Sequence, residues 1–285
     1  MIYQAQIKPP ASSRTVHGFT LIELLVVVAI IALLVAILLP ALQEARRQAK
    51  LLVCSVHLHG YALGLTVYAN MNPSGKYPPH DEAGWGSLWK VWSSTSAVYQ
   101  KNFPDRRQAL DMYKDLICGG DFSLLWCPLD EYYHNPATPK YGGARDPEYP
   151  KLWYDNRFGQ NYMGSYFRFA NALAGPNCDF TYSGNTRTDG PPLRPGSAQD
   201  AILADTSESE PGYYWSNHSS YALRGDTYQL FGDEDRLRGT RDNNVAYADG
   251  HVETHYHQNA YIDPDDYLMW EGADYVRRWW IREMY

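Results

Sequence analysis

The chain has 285 residues, 45% of them hydrophobic and 20% charged, with a formal net charge of −7 and an isoelectric point near 5.7. That is long and apolar enough to bury a core in one or two domains, which excludes a disordered tail. The acid excess comes with no Lys/Arg run of the kind that tracks phosphates, so nucleic acid is excluded as a partner.

From the N-terminus, residues 1–18 hold Lys8 and Arg14 and no acid. Residues 19–39 then carry a single ionisable side chain, Glu23. As a helix this stretch would span about 31 Å, the hydrocarbon thickness of a bilayer. Its sixteen Leu, Ile, Val and Phe side chains together favour insertion by about 7 kcal/mol, more than one charge removes. The positive-inside bias keeps the short basic end in the cytoplasm and places the long remainder across the membrane. An ordinary cleaved secretory signal is poorly served, because Leu38-Leu39-Pro40-Ala41-Leu42 offers only a weak small-residue site. Glu23 falls in the first helical turn, where the helix dipole favours an anion, yet a carboxylate in lipid is costly and by default marks function.

Beyond Pro40, small or apolar residues recur at Leu42, Ala45, Ala49, Leu52, Val56, Gly60, Leu63 and Val67, with Gln43, Glu44, Arg46, Arg47 and Lys50 on the other side. This 3.6-residue stripe predicts that the helix runs on to about residue 69, some 76 Å in all, and offers the stripe to a globular part. Pro40 lacks a backbone donor, so a kink or a helix boundary is expected there. Asn70-Met71-Asn72-Pro73-Ser74-Gly75 ends the helix.

Residues 76–200 are dense in Tyr, Trp, Pro and Gly and read as loops, short helices and short strands. Helical pieces are expected at residues 86–99 and 105–117. Residues 201–204 read as a strand. Residues 245–248 and 251–255 read as a hairpin around Asp249-Gly250, a dipeptide suited to a two-residue type I′ turn. His251, Glu253, His255 and His257 alternate and would share one strand face, read as a solvated polar face because spacing by two is a poor zinc signature. No metal centre or other cofactor is expected. Calcium is the one ion for which loop acids supply donors, at Asp233-Glu234-Asp235 and Asp263-Pro264-Asp265-Asp266, although neither has EF-hand spacing. No nucleophile elbow, phosphate loop or H-E-x-x-H is present, so no enzyme is expected. Cys54, Cys118, Cys127 and Cys178 all follow the apolar stretch, where export favours disulfides, and four cysteines allow three pairings.

Gly18-Phe19-Thr20-Leu21-Ile22-Glu23 resembles the processing site of type IV prepilins and type II secretion pseudopilins. The resemblance implies that a prepilin peptidase cuts between Gly18 and Phe19, that Phe19 is N-methylated, and that Glu23 pairs with the terminal amine of an adjoining subunit. Arg238, Asn244, Asp249, Gly250, His251 and Val252 are similar to a C-terminal signature of large prepilin-like proteins, with Gly239 where that signature has a histidine. Cys54, Tyr68-Ala69 and Trp126-Cys127-Pro128 are placed as in the same proteins. By that resemblance Cys54 pairs with Cys127, which leaves Cys118 and Cys178.

The expected architecture is therefore α+β and pilin-like, with a small antiparallel sheet on the outer half of a long helix. It divides into a leader (1–18), a pilin helix (19–72, membrane-spanning over 19–39) and a globular domain (73–285). The expected role is structural: a pilin or pseudopilin subunit, anchored once in the bacterial inner membrane, N-terminus cytoplasmic and globular domain periplasmic or on a cell-surface filament. Its expected partners are the lipid bilayer, other pilin-like subunits, the prepilin peptidase and the inner-membrane assembly platform. The 24 Tyr and 9 Trp raise an alternative, a carbohydrate-binding or adhesive protein displayed at a filament tip or surface by the same route.

Overall fold

The computed structural model describes residues 20–80, 90–129, 146–149, 152–155, 159–171, 178–179, 181–182, 185–186, 193–196, 201–205, 207–210, 213–216, 242–256, 267–272 and 275–280. The chain divides into two units, Met1–Arg46 and Arg47–Tyr285.

Helix α1 covers Leu21–Met71 and contains Pro40 without ending there, so the boundary reading of this proline is corrected. A proline inside a helix removes one hydrogen bond, and the helix-favouring residues on either side, apolar before it and amphipathic after it, outweigh that loss. The helix stops where expected. Asn72 Oδ1 accepts from the Ser74 N–H (3.0 Å) and hydroxyl (3.0 Å), and Gly75 takes a left-handed φ of 66°.

Strand β1 (Lys90–Ser93) occupies part of the stretch expected to be helical. Its Val91 and Trp92 are buried, and it pairs antiparallel with a strand far along the chain, so tertiary pairing overrode local preference. Helix α2 (Ala97–Asn102) begins only after Ser96, whose hydroxyl accepts from the Tyr99 N–H at 3.3 Å. Helix α3 (Arg106–Met112), capped by Asp105, widens into a π turn at Tyr113–Ile117, closed by Cys118 N–H donating to Tyr113 O at 2.8 Å. A 3-10 turn, Phe122–Leu125, follows.

The strands then run β2 (Trp153–Asp155), β3 (Asn161–Met163), β4 (Tyr166–Arg168), β5 (Cys178–Asp179), β6 (Thr181–Tyr182), β7 (Asn185–Thr186), β8 (Ala201–Asp205), β9 (Ser207–Glu210), β10 (Tyr213–Ser216), β11 (Asp242–Tyr247), β12 (Val252–Tyr256), β13 (Tyr267–Gly272) and β14 (Tyr275–Trp280). Among the described residues all pairings are antiparallel. Four sheets result among the described residues, in the orders β1-β3-β2, β10-β9-β14-β13-β5, β12-β11-β8-β4 and β6-β7, more than the single small sheet expected. Long helix and antiparallel sheets together are α+β and consistent with a pilin-like fold.

The β12-β11-β8-β4 sheet positions the core. Ala201, Ile202, Leu203, Ala204 and Asp205 of β8 are all buried, so this strand is covered on both faces and reads as an apolar run rather than an alternation. The hairpin at its edge forms, but not around a two-residue turn. Gly250 N–H donates to Tyr247 O (2.9 Å) and Tyr247 N–H donates to His251 O (3.0 Å), which makes a three-residue loop of Ala248, Asp249 and Gly250. Only Gly250 takes positive φ (93°), the pattern of a type I turn with a glycine bulge.

Candidate functional site: the long helix and its seating

The start of α1 is a reciprocal cap. Thr20 O accepts the first helical bond, from Leu24 N–H. Glu23 N–H donates to Thr20 Oγ1 at 3.3 Å, while Glu23 Oε2 accepts from the Thr20 N–H at 2.8 Å and from its hydroxyl at 2.9 Å. This is a capping box, which satisfies two donors that a helix start otherwise leaves open. Glu23 thus has local work in its own first turn, deeper than a bare dipole contact. The Thr-x-x-Glu spacing ahead of an apolar run was the sequence signal for it. Both bonds use Oε2, and among the described residues Oε1 accepts none. Gly18 and Phe19 lie outside the described residues.

From Leu21 onward the first unit bares its apolar side chains on every side: Leu21 is 79% exposed, Leu33 64% and Leu38 64%. Among the described residues α1 is the one helix long and apolar enough to cross a membrane.

Within the second unit the helix seats itself on the opposite face from the one expected. The buried positions are Cys54, Leu58, Tyr61, Ala62, Gly64, Leu65 and Ala69. The expected stripe stays open instead, with Leu52 67%, Val56 57% and Leu63 54% exposed. At 100° per residue the centres of the two faces lie about 180° apart on the helix. Tertiary fit decided which face docks. A Cβ on Gly64 would fall 2.0 Å from Ile117 O, so only glycine admits the backbone of the π turn there, and Gly64 lies on the buried side. His57 and His59 tie the flanks, their Nδ1 atoms each 2.7 Å from a backbone oxygen, Trp126 O and Gly250 O respectively.

Cys54 meets a buried polar group. Its Sγ donates to Asp205 Oδ1 at 3.1 Å and lies 3.3 Å from the Tyr166 hydroxyl, and Asp205 Oδ2 accepts from Asn244 N–H at 2.8 Å. The Cys127 Sγ lies with them, all three ligand atoms within 4.8 Å of one another. Among the described residues no disulfide joins Cys54, Cys118 or Cys127, and all three are buried. Burial, with Asp121 adding to it, pushes the Cys118 thiol up to about 12. The side chain of Cys178 lies outside the described residues, as do Arg238, Gly239, His257 and the acidic loops at 233–235 and 263–266. Of the alternating group, His251 and Glu253 are exposed, and His251 Nδ1 lies 2.6 Å from Asp249 Oδ1, drawn back into the turn. His251 also stacks on Tyr247 with ring centroids 4.2 Å apart.

A second polar cluster stiffens the globular part. Arg106 donates to Asp146 Oδ2 (3.1 Å), Tyr162 Oη (2.8 Å) and Glu148 Oε2 (2.9 Å), and the Tyr162 hydroxyl donates to Asp146. Burial pushes the Asp146 carboxyl up. The Tyr162 hydroxyl, the backbone N–H of Glu148 and the Arg106 guanidinium outweigh that and hold it below the usual range.

With this geometry in place, the N-terminal segment identifies a class. Residues 13–39 match the family model described as the prokaryotic N-terminal methylation motif, and the chain is prepilin-like. The Type IV wide pilus major component PilA4 of Thermus thermophilus is 52% identical over 46 residues, which are 16% of this chain and 35% of that protein. The match thus spans about a third of that relative's length. No solved structure matches the chain.

Proposed function

We propose that this protein is a structural pilin or pseudopilin subunit that assembles through α1 into a type IV pilus-like or type II secretion filament. The observation that carries the reading is the open apolar stripe Leu52, Val56 and Leu63, on a helix whose other face is already covered by its own globular part. Fully burying side chains of this kind is worth about 1.5–3 kcal/mol each, so leaving them in water is a standing cost that helix-to-helix packing removes. The methylation motif supports the same reading, with a prepilin peptidase cutting between Gly18 and Phe19 and the assembly platform drawing subunits from the membrane. Lys8 and Arg14 favour a cytoplasmic N-terminus and a globular domain beyond the inner membrane. Glu23 fits this role: Oε2 holds the cap, while Oε1 faces the amine of a neighbouring Phe19.

Leu52→Glu and Leu63→Glu test the reading in the native host. Both sites are exposed in the subunit, so membrane level and thermal stability stay at parental values, while the variants are lost from sheared filaments. Incorporation at the parental ratio would overturn the proposal.

A further inference from the structure

Three residues far apart in sequence converge beneath α1. Cys54 comes from the helix, Cys127 from the segment after the 3-10 turn and Asp205 from the end of β8. All are buried, with exposures of 0%, 3% and 0%, and the two Sγ atoms and a carboxylate oxygen lie within 4.8 Å of one another.

Each ligand residue is held in place. Asn244 N–H donates to Asp205 Oδ2 at 2.8 Å, which directs Oδ1 toward the sulfurs. Cys127 N–H donates to Ser165 Oγ at 2.6 Å, and Ser165 N–H donates to Leu125 O at 2.8 Å, fixing the segment that carries the second thiol. The Tyr166 hydroxyl stands 3.3 Å from Cys54 Sγ as an outer hydrogen-bond partner. Two thiols and one carboxylate, oriented by outer hydrogen bonds, are the donor set of a borderline-soft divalent cation. Zinc bonds of about 2.0–2.3 Å in a tetrahedron place ligand atoms about 3.5–3.8 Å apart, a separation the cluster reaches with small adjustments.

We propose that Cys54, Cys127 and Asp205 bind zinc or a divalent cation of the same class, clamping α1 to the β12-β11-β8-β4 sheet. Binding replaces two S–H bonds by two S–metal bonds and releases two protons, with no change of oxidation state. A Cys54–Cys127 disulfide is the competing state. It would convert the Cys54 sulfur from a donor into a lone-pair-bearing atom facing a carboxylate with no solvent exposure, whereas a divalent cation offsets two of the three negative charges that two thiolates and the carboxylate bring together. Because the cluster is buried, the ion enters before α1 seats, and its binding energy becomes folding energy.

The test uses the full chain in detergent, purified without chelator or added metal. Elemental analysis should find zinc near one equivalent, and thiol counting in denaturant should find Cys54 and Cys127 unlinked. Asp205→Asn and Cys127→Ser should fall below roughly a tenth of the parental metal content, since even outer-shell changes at such sites cost 10–100-fold. Cys118→Ser should keep it. Should the site variants fail to fold, refolding the parent with cobalt reads the same thiolates through their charge-transfer band. A Cys54–Cys127 disulfide in the peptide map would overturn the proposal. So would zinc kept by Cys127→Ser, which marks an adventitious ion only, or a parent that takes up neither zinc nor cobalt.

Discussion

Gly64→Ala probes the seating of α1 most directly, because two opposing terms can be weighed. Replacing a helix-interior glycine by alanine gains about 1 kcal/mol of helix propensity. Against that, the new Cβ would lie 2.0 Å from Ile117 O, 2.7 Å from Ile117 C and 2.8 Å from Ile117 Cα. All three atoms are backbone, so relief requires α1 or the π turn to retreat by about 1 Å, and overpacking of this kind costs typically 1–3 kcal/mol or more. Since rigid backbone sits at the upper end of that range, the net expectation is a loss of about 2 kcal/mol. For a unit of this size that lowers Tm by about 4–8 °C. Gly60→Ala is the matched control: its nearest neighbours would be Leu124 Cδ2 at 3.1 Å, Cδ1 at 3.2 Å and Cγ at 3.8 Å, all of one movable side chain. Its Tm should stay level or rise slightly. Thermal unfolding of the full-length protein in detergent, followed by tryptophan fluorescence and near-ultraviolet circular dichroism, reads both. A Gly64→Ala protein at least as stable as the parent would refute the close approach of α1 to the π turn.

Four further outcomes are expected. Mass analysis of the mature protein should find residues 1–18 removed and Phe19 N-methylated; retention of Met1, or a cut after Ala41, would end the prepilin reading. Glu23→Ala should reach the membrane and be processed at parental levels yet be missing from sheared filaments, while parental incorporation would reduce Glu23 to a helix cap. Asp146 has a folded pKa below its unfolded one, so its contribution is present above about pH 4 and is lost as pH falls through the lower, folded value. Asp146→Asn should accordingly be less stable than the parent at pH 7, with the gap narrowing toward pH 3; an unchanged gap in acid unfolding would contradict the cluster around Arg106. Cys118, with its thiol pushed up to about 12, should resist alkylation at pH 8 until the chain is unfolded.

What the sequence determined by itself lies where the physics is local. Twenty-one consecutive residues with one charge define a membrane-length helix whatever follows, and Thr20-x-x-Glu23 defines its cap, because all the atoms involved lie within one turn. The breaker cluster at residues 70–75 and the strands at 201–204 and 245–255 were equally legible, each governed by neighbours in the chain. Only the tertiary structure decided which side of α1 docks. Apolar residues recur at helical spacing on both sides, at Leu52, Val56 and Leu63 and at Leu58, Tyr61 and Leu65, so docking requires shape as well as hydrophobicity. The side bearing Gly64 and Ala62 lets the π turn approach, and the side bearing Leu52 and Leu63 is left for another surface. The strand at Lys90–Ser93 and the arrival of Asp205 beside Cys54 and Cys127 were hidden for the same reason. They join residues about 70 or more positions apart, and no local pattern encodes a contact whose closure depends on the whole chain.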